Sequence, residues 1–106
     1  MLQSIRDGNS LIVRLTGELD HCCAQSVRRE LDGLIADRTV RWLILDFSHL
    51  QFMDSSGIGL IMGRYRMMQM LGGQLHISGA SERLWSIMRL AGLERLPIVL
   101  EEGERK

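Results

Sequence analysis

The fold of this chain is decided by residues 42–61, which read WLILDFSHLQFMDSSGIGLI. Residues 42–47 are apolar almost throughout, which is typical of a strand covered on both faces. From residue 58 onward the apolar side chains recur at helical spacing instead. The segment Asp54-Ser55-Ser56-Gly57 therefore lies where a strand gives way to a helix. Free backbone N–H groups and the positive end of the helix dipole favour negative charge at that position.

Before this stretch, the pattern predicts two strands and a helix. Residues 11–17 are rich in β-branched and aliphatic side chains, and residues 3–5 are expected to pair with them through a turn at Asp7-Gly8. The segment that follows carries apolar side chains at helical spacing. They are Cys23 or Ala24, Val27, Leu31, Leu34 and Ile35.

After this stretch, the pattern predicts two helices. The helix that follows Gly57 should end at Gly72-Gly73, and Ser81 can cap a third helix that ends at Gly92. The buried stripe of the second helix is predicted as Ile58, Ile61, Met62, Tyr65, Met68 and Leu71. That of the third is predicted as Leu84, Ile87, Met88 and Ala91, with Leu93 packing back on it.

Two more strands complete the pattern. Residues 74–78 alternate like a short strand, and residues 96–100 are expected at an edge because Pro97 cannot donate to a central ladder. The order is then ββαβαβαβ, in one α/β domain over residues 1–106. Such alternation calls for a mostly parallel central sheet of about five strands, with right-handed crossovers and helices packed on it. The charged segment at residues 101–106 is expected to fray.

Composition excludes several classes of function. The chain of 106 residues is 45% hydrophobic and 25% charged, as in an ordinary soluble globular protein. Its 13 basic residues balance 13 acidic ones, so no net field steers it toward nucleic acid or an anionic membrane. No stretch approaches the roughly 18 apolar residues of a membrane span. We therefore predict neither a nucleic-acid partner nor a membrane partner.

The amino terminus and the cysteines indicate a cellular location. The first residues lack the apolar run of a signal peptide. The two cysteines, Cys22 and Cys23, are adjacent, and neighbouring cysteines rarely bridge each other without strain. Both features predict a reducing, cytoplasmic environment.

The residues around Ser55 do not resemble a self-contained active site. A hydrolase nucleophile elbow reads Gly-x-Ser-x-Gly, but Met53 stands where the first glycine would be if Ser55 were the nucleophile. The histidines His21, His49 and His76 lie in no recognisable motif, and His21-Cys22-Cys23 lacks the spaced second pair of a zinc site. No phosphate-loop or dinucleotide fingerprint is present. The sequence predicts no catalytic residue, no metal and no cofactor, and a small serine hydrolase is the weaker alternative.

A serine at the start of a helix can also be an ordinary N-cap or an acceptor for a phosphoryl group. A phosphate on Ser55 would lie near the N–H groups of residues 56–58, which favour it, and near Asp54, which raises the local negative charge. Asp20 would add to that charge if its turn lies at the same sheet edge. A change of charge without refolding suits a binding switch, and the residue pattern alone leaves cap and switch both open.

Three segments resemble the STAS domain of anti-anti-sigma factors: residues 15–21 (LTGELDH), 52–59 (FMDSSGIG) and 63–65 (GRY). The similarity continues in matching order from about residue 11 to residue 99. The Phe-Met and Gly-Arg-Tyr flanks favour the sporulation branch, whose members antagonise the anti-sigma-F factor. The resemblance implies a STAS fold and a non-enzymatic regulator, with a stress-response sigma pathway as the alternative.

In that family the first serine of Asp-Ser-Ser-Gly is phosphorylated by the partner, an anti-sigma factor that is also a serine kinase. The resemblance implies Ser55 as the acceptor, with Ser56 as the second choice. The unphosphorylated form would bind the anti-sigma factor and free the sigma factor, and a PP2C-type serine phosphatase would reverse the modification. Cys22-Cys23 departs from the family pattern, which has a polar residue that helps to cap the first helix, so the start of this helix is left open.

Partner contacts are expected around the acceptor and along the helix that follows it. Asp20 and Asp54 match family positions that flank the acceptor. Helical spacing places Leu60, Met67 and Met70 off the buried stripe, where exposed methionine suits an adaptable interface. The predicted contact set is Asp20, His21, Asp54, Ser56, Gly57, Ile58, Leu60, Arg64 and Met67.

Overall fold

The computed structural model describes the backbone of residues 1–102 and the side chains of residues 1–100. The strands are β1 Leu2–Asp7, β2 Ser10–Leu19, β3 Trp42–Met53, β4 Gln74–Ala80 and β5 Val99–Glu102. The helices are α1 His21–Leu34, α2 Ser55–Met70 and α3 Glu82–Leu90, followed by a short 3-10 turn at Leu93–Arg95. The predicted order ββαβαβαβ is confirmed.

Within residues 1–102 the strands form one sheet in the order β1-β2-β3-β4-β5, which is also their order along the chain. β1 is antiparallel to β2, and each later neighbour is parallel to the strand before it. Because right-handed crossovers that step in one direction leave their helices on one side, the helices collect on one face of the sheet. The predicted mostly parallel sheet is confirmed.

Burial along β3 shows which face carries the core. Leu43, Leu45 and Phe47 are at most 1% exposed, whereas Trp42 is 39% exposed and Ile44 is half-buried. The prediction that this strand is covered on both faces is therefore wrong, because the helices pack on one side only. An uninterrupted apolar run does not distinguish the two cases.

The paired ends of β2 and β3 position the start of the next helices. Their pairing runs from Ser10 opposite Trp42 to Leu19 opposite Met53, and it is interrupted by two register shifts, between Arg14 and Thr16 and between Gly17 and Glu18. This pairing carries both strands beyond the predicted segments, up to the residues where α1 and α2 begin. Two helices therefore start side by side at the carboxyl edge of the sheet.

The hairpin between β1 and β2 turns one residue later than predicted. Asp7 pairs with Ser10, so the turn residues are Gly8-Asn9 rather than Asp7-Gly8. Gly8 has a φ of 60°, a value that glycine adopts without steric cost.

The last strand is also displaced from its prediction. β5 begins at Val99, two residues after Pro97, which has no N–H to give to a ladder. It pairs with β4 and continues to Glu102, which lies opposite Ala80, so the predicted fraying from residue 101 begins too early. Residues 103–106 of that predicted tail lie outside the described residues.

The buried stripes of α1 and α3 largely follow the prediction. In α1, Ala24, Val27 and Leu31 are buried, and Ile35 is buried just beyond the helix. In α3, Leu84 and Met88 are buried, while Ala91 is exposed because it is the C-cap rather than part of the covered turns. The predicted Ser81 cap and the inward packing of Leu93 are confirmed.

The stripe of α2 differs from the prediction. Its buried residues are Gly57, Leu60, Ile61, Arg64 and Met68. The remaining predicted members are only half-buried, and they are Ile58, Met62, Tyr65 and Leu71. The reason is that α1 packs along α2, so the covered surface of α2 is shared between the sheet and a neighbouring helix. Among the helices of residues 1–102, none combines the length and the hydropathy of a membrane span.

Candidate functional site

Asp54 joins the two helices that begin at the carboxyl ends of β2 and β3. One carboxylate oxygen, Oδ1, accepts a hydrogen bond from the backbone N–H of Ser56 at 2.8 Å, as an N-cap does for its own helix. The other, Oδ2, accepts from the backbone N–H of His21 at 3.2 Å, the first residue of α1. A single side chain therefore satisfies orphan N–H groups at the starts of α1 and α2.

Asp20 caps α1 in the same manner. Its Oδ1 accepts from the backbone N–H of Cys23 at 3.0 Å, and this hydrogen bond is the main reason that the pKa of the Asp20 carboxyl lies below its ordinary value. The start of α1, left open by the sequence, is His21 with Asp20 as its cap. The polar residue missing at Cys22-Cys23 is not needed for the cap.

The Ser55 hydroxyl takes no part in capping α2. Ser55 is the first residue of α2 and is exposed, and its hydroxyl makes no hydrogen bond to any residue within 1–102. Because Asp54 is the cap, the alternative in which Ser55 or Ser56 caps this helix is not what the structure shows. Ser56 is half-buried behind it.

The backbone N–H groups after Ser55 are already occupied. The N–H of Ser56 donates to the Asp54 carboxylate, and those of Gly57 and Ile58 donate to the Asp54 carbonyl oxygen at 3.0 Å and 3.3 Å. The expectation that these groups would be free to receive a phosphate on Ser55 is therefore wrong. A phosphate there would meet the helix dipole and the Asp54 carboxylate without new backbone hydrogen bonds.

Gly57 allows α2 to start this close to the sheet. A Cβ at this position would lie 2.3 Å from Cγ of Met53 and 3.1 Å from the carbonyl oxygen of Leu19. Gly57 is buried, so its role is to admit the ends of β2 and β3 rather than to present a contact surface. The prediction that Gly57 touches a partner loses its support.

The histidines and cysteines of residues 1–102 show no arrangement for binding a metal. No group of three His, Cys, Asp or Glu side chains in residues 1–102 is arranged to hold a metal ion. Of the three histidines, His21 and His49 are exposed, and the His49 ring bonds to the neighbouring Ser48 hydroxyl rather than to Ser55. Cys22 and Cys23 are free thiols, and the hydrogen bond to Asp20 is the main cause that raises the pKa of Cys23.

Comparison with known proteins places the chain in a family. A family model described as the STAS domain matches residues 2–104. This chain belongs to the STAS domain family. It is 38% identical over 86 residues to the anti-sigma F factor antagonist of Paenibacillus polymyxa, a match that covers 81% of this chain and 74% of that relative. It is 32% identical over 97 residues to the anti-sigma-B factor antagonist of Bacillus subtilis (strain 168), covering 91% and 86%.

A solved structure shows the same fold. The phosphorylated form of the Bacillus cell fate determinant SpoIIAA matches with a TM-score of 0.75 and 29% identity, over 94% of this chain and 90% of that one. The predicted resemblance to the STAS domains of anti-sigma factor antagonists is confirmed.

Along α2 of this STAS domain, the predicted contact residues do not share one environment. Leu60 is only 4% exposed, so the prediction that it lies off the buried stripe is wrong. Arg64, another member of the predicted contact set, is 6% exposed. Met67 is half-buried, and Met70 is 86% exposed. Leu60 and Arg64 are buried for the same reason, because α1 covers the side of α2 that the hydropathy pattern predicted to face solvent.

An ion pair between the two helices was not visible in the sequence. Arg64 Nε of α2 lies 3.2 Å from Oδ1 of Asp32 in α1. Burial is the main cause that lowers the pKa of Arg64, and the Asp32 carboxylate opposes this shift. A pairing between residues this far apart in sequence depends on helix packing and leaves no local pattern.

Proposed function

We propose that this chain is an anti-sigma factor antagonist that is switched by phosphorylation of Ser55. The unphosphorylated form binds an anti-sigma factor that is also a serine kinase, and so frees the sigma factor. Phosphorylation ends this binding, and a PP2C-type serine phosphatase restores it. The observation that carries the proposal is the exposed Ser55 hydroxyl, which is left without a hydrogen bond within residues 1–102 because Asp54 caps the helix.

The charges around Ser55 support a switch of binding rather than of fold. Asp54 and Asp20 flank the hydroxyl at the starts of the two helices, so the surface is already acidic before modification. A phosphate adds about two negative charges at an exposed position where no backbone bond has to break. In a protein contact this change is expected to lower affinity by about a hundredfold, or about 3 kcal/mol.

The proposed contact surface is smaller than the one predicted from the sequence. It consists of residues that are exposed or half-buried around the two helix starts: Asp20, His21, Asp54, Ser56 and Ile58. Met67 lies farther along α2 and extends this surface only if the partner follows the helix. Gly57 and Leu60 are buried and are removed from the proposal.

The relatives support one sigma pathway over the other. The match to an anti-sigma F factor antagonist is 38% identical, against 32% for an anti-sigma-B factor antagonist. We therefore propose the sigma-F pathway of sporulation, in the cytoplasm, with a stress-response pathway as the alternative. The match to SpoIIAA in its phosphorylated form supports a phosphorylated state for this fold.

Calorimetric titration with a candidate anti-sigma factor tests the proposal. The unphosphorylated protein should bind, and the protein phosphorylated on Ser55 should bind about a hundredfold more weakly. Ser55→Ala should bind like the unphosphorylated protein and should stay bound when ATP is added. Equal binding of both forms, or loss of binding in Ser55→Ala alone, would refute the switch.

A fluorophosphonate probe separates the regulator from a serine hydrolase. The proposed function predicts no labelling, because the Ser55 hydroxyl has no histidine partner within residues 1–102 to remove its proton. Covalent labelling that disappears in Ser55→Ala would favour the enzyme instead.

A further inference from the structure

A groove of about 420 Å³ runs between α1 and α2, starting beside the proposed switch. His21 and Ser56 line one end, and Gly59, Gly63 and Arg64 line its course along α2. The groove therefore continues the proposed contact surface away from Ser55. A partner that docks over the helix starts would also cover the mouth of this groove.

Two glycines keep the groove open. A Cβ at Gly59 or at Gly63 would meet no heavy atom within 4 Å, and neither residue has a positive φ. Glycine destabilises the interior of a helix relative to alanine, and here neither packing nor backbone conformation requires it. Gly57, by contrast, is required by the nearby backbone of β2 and the side chain of Met53.

The groove ends on a buried cation whose hydrogen bonds are incomplete. Arg64 is 6% exposed. Its Nη1 atom is buried without an acceptor in residues 1–102, and its Nε atom forms an ion pair with Asp32 Oδ1 but no hydrogen bond. The Asp32 carboxylate lies 3.2 Å from Nε, and its side chain is 41% exposed. Buried guanidinium N–H groups that lack an acceptor are unfavourable, so an acceptor from outside would stabilise this site.

The charge of the groove indicates the kind of group that fits. Arg28 of α1 lines the groove together with Arg64, and none of the described residues that line it is acidic. The nearby carboxylates are those of Asp20 and Asp54 at the helix starts and that of Asp32, which pairs with Arg64. Guanidinium groups bind carboxylates with two parallel hydrogen bonds, a geometry that an ammonium or a neutral donor does not reproduce.

We propose that the groove between α1 and α2 receives an acidic side chain of the anti-sigma factor, whose carboxylate binds Arg64 with Arg28 as the second cation. This inference rests on the proposed function, because it takes the anti-sigma factor as the partner. It also explains how phosphorylation of Ser55 weakens binding. A dianion on Ser55 lies near the mouth of the groove and repels the carboxylate that has to enter.

Four substitutions test the charge of the groove by calorimetric titration with the anti-sigma factor. Arg64→Gln and Arg28→Gln should each weaken binding at least tenfold. Asp32→Asn should tighten binding a few fold, because it removes the carboxylate that competes for Arg64. Arg29→Gln should change nothing, since Arg29 is an exposed residue of α1 outside the groove.

A second pair of substitutions tests the shape of the groove without a change of charge and covers the case in which Arg64→Gln does not fold. Gly63→Leu should fill the groove and weaken binding at least tenfold. Gly33→Leu is the matched control, because Gly33 lies in α1 outside the groove and its Cβ would also meet nothing within 4 Å. Thermal unfolding of each variant establishes that it is folded.

The outcomes separate this inference from the proposed function. Wild-type affinity in Arg64→Gln and Gly63→Leu would overturn the groove proposal while leaving the Ser55 switch in place. Weaker binding in Asp32→Asn would also overturn it, since the ion pair would then be purely structural. Binding of inorganic phosphate is a further test. If phosphate binds the wild type but not Arg64→Gln, and if both proteins bind the anti-sigma factor equally well, the groove is a site for a small anion instead. If wild-type protein does not bind the anti-sigma factor, both proposals fail.

Discussion

The turns that lead into α2 and α3 use serine in opposite ways. At the start of α3, Ser81 is the N-cap, and its hydroxyl accepts from the backbone N–H of Leu84 at 3.2 Å. At the start of α2, Asp54 is the N-cap, and the hydroxyl of Ser55 makes no hydrogen bond within residues 1–102. One serine holds its helix, and the other is free to react without loss of the cap.

Asp54 also differs from Ser81 in having a second oxygen that accepts a hydrogen bond. Ser81 has one oxygen and serves one helix, whereas Asp54 also accepts from His21 and so ties α2 to α1. The turn into α2 is therefore held by an aspartate that the proposed modification of Ser55 leaves in place. A switch on Ser55 can change the charge of this edge while the fold stays as it is.

The largest expected effect concerns partner binding and compares Ser55→Asp with Ser81→Asp. Ser55→Asp should weaken binding to the anti-sigma factor by about a hundredfold, because a fixed negative charge then stands at the proposed contact. Ser81→Asp should leave affinity unchanged, since aspartate is itself a good N-cap and α3 lies away from the contact. Titration calorimetry measures both, and a similar loss in the two variants would remove the distinction between the turns.

The next effect concerns the third helical position, which is Gly57 in α2 and Leu84 in α3. Gly57→Ala should lower the free energy of unfolding by about 1–3 kcal/mol, because the new Cβ meets Met53 and the Leu19 carbonyl oxygen. Gly59→Ala, two residues on, should raise it by about 0.5–1 kcal/mol since its Cβ meets nothing. Urea unfolding distinguishes the two, and stabilisation by Gly57→Ala would show that α2 does not approach the sheet as described.

Alanine substitutions at the helix starts should distinguish side chains that stabilise the fold from one that does not. Asp54→Ala is expected to cost about 1–2 kcal/mol of unfolding free energy, and Ser81→Ala about 1 kcal/mol. Ser55→Ala should stay within about 0.5 kcal/mol of wild type, because its hydroxyl makes no bond that folding depends on. Urea denaturation of the three variants checks the order, and a Ser55→Ala cost equal to that of Asp54→Ala would identify Ser55 as a structural residue.

The smallest expected effect is the pH dependence of stability that comes from Asp20, the N-cap of α1. The Cys23 N–H lowers the pKa of Asp20 in the folded protein, so the ionised cap stabilises the fold above the ordinary carboxyl pKa. This contribution is lost as the pH falls through the lowered pKa. Asp20→Asn keeps a capping oxygen but does not titrate, so it should lose less stability on acidification than wild type.

Thermal unfolding between about pH 5 and pH 2 measures this difference. Glu30→Gln is a suitable control, because Glu30 is an exposed residue of α1 away from its cap. The control should follow the wild-type profile. An Asp20→Asn profile parallel to wild type would mean that the cap carries no charge-dependent stability.

The sequence alone was sufficient for the features that short segments determine. The strand before Asp54, the turn at Ser55 and the cap at Ser81 each depend on neighbouring residues, and each was predicted. The mostly parallel sheet was predicted from the alternation of strands and helices along the chain. The exposed position of Ser55 could be proposed but not established, since a serine at this site serves equally well as a cap.

The errors arose where distant residues meet. Leu60 and Arg64 were predicted to face a partner, but α1 covers them. The hydropathy pattern of α2 does not indicate that another helix packs against it. The bond from the His21 N–H to Asp54 joins two helix starts that are 33 residues apart in sequence, with α1 and β3 between them. Such contacts are set by packing rather than by local pattern, so they appear only in three dimensions.

Tandem mass spectrometry after incubation with the candidate anti-sigma factor and ATP tests most directly whether Asp54 leaves Ser55 free for phosphoryl transfer. We expect one phosphoryl group, located on Ser55, and no incorporation into Ser55→Ala under the same conditions. A phosphoryl group on Ser56 or Ser81, or undiminished incorporation into Ser55→Ala, would contradict the assignment of the free hydroxyl.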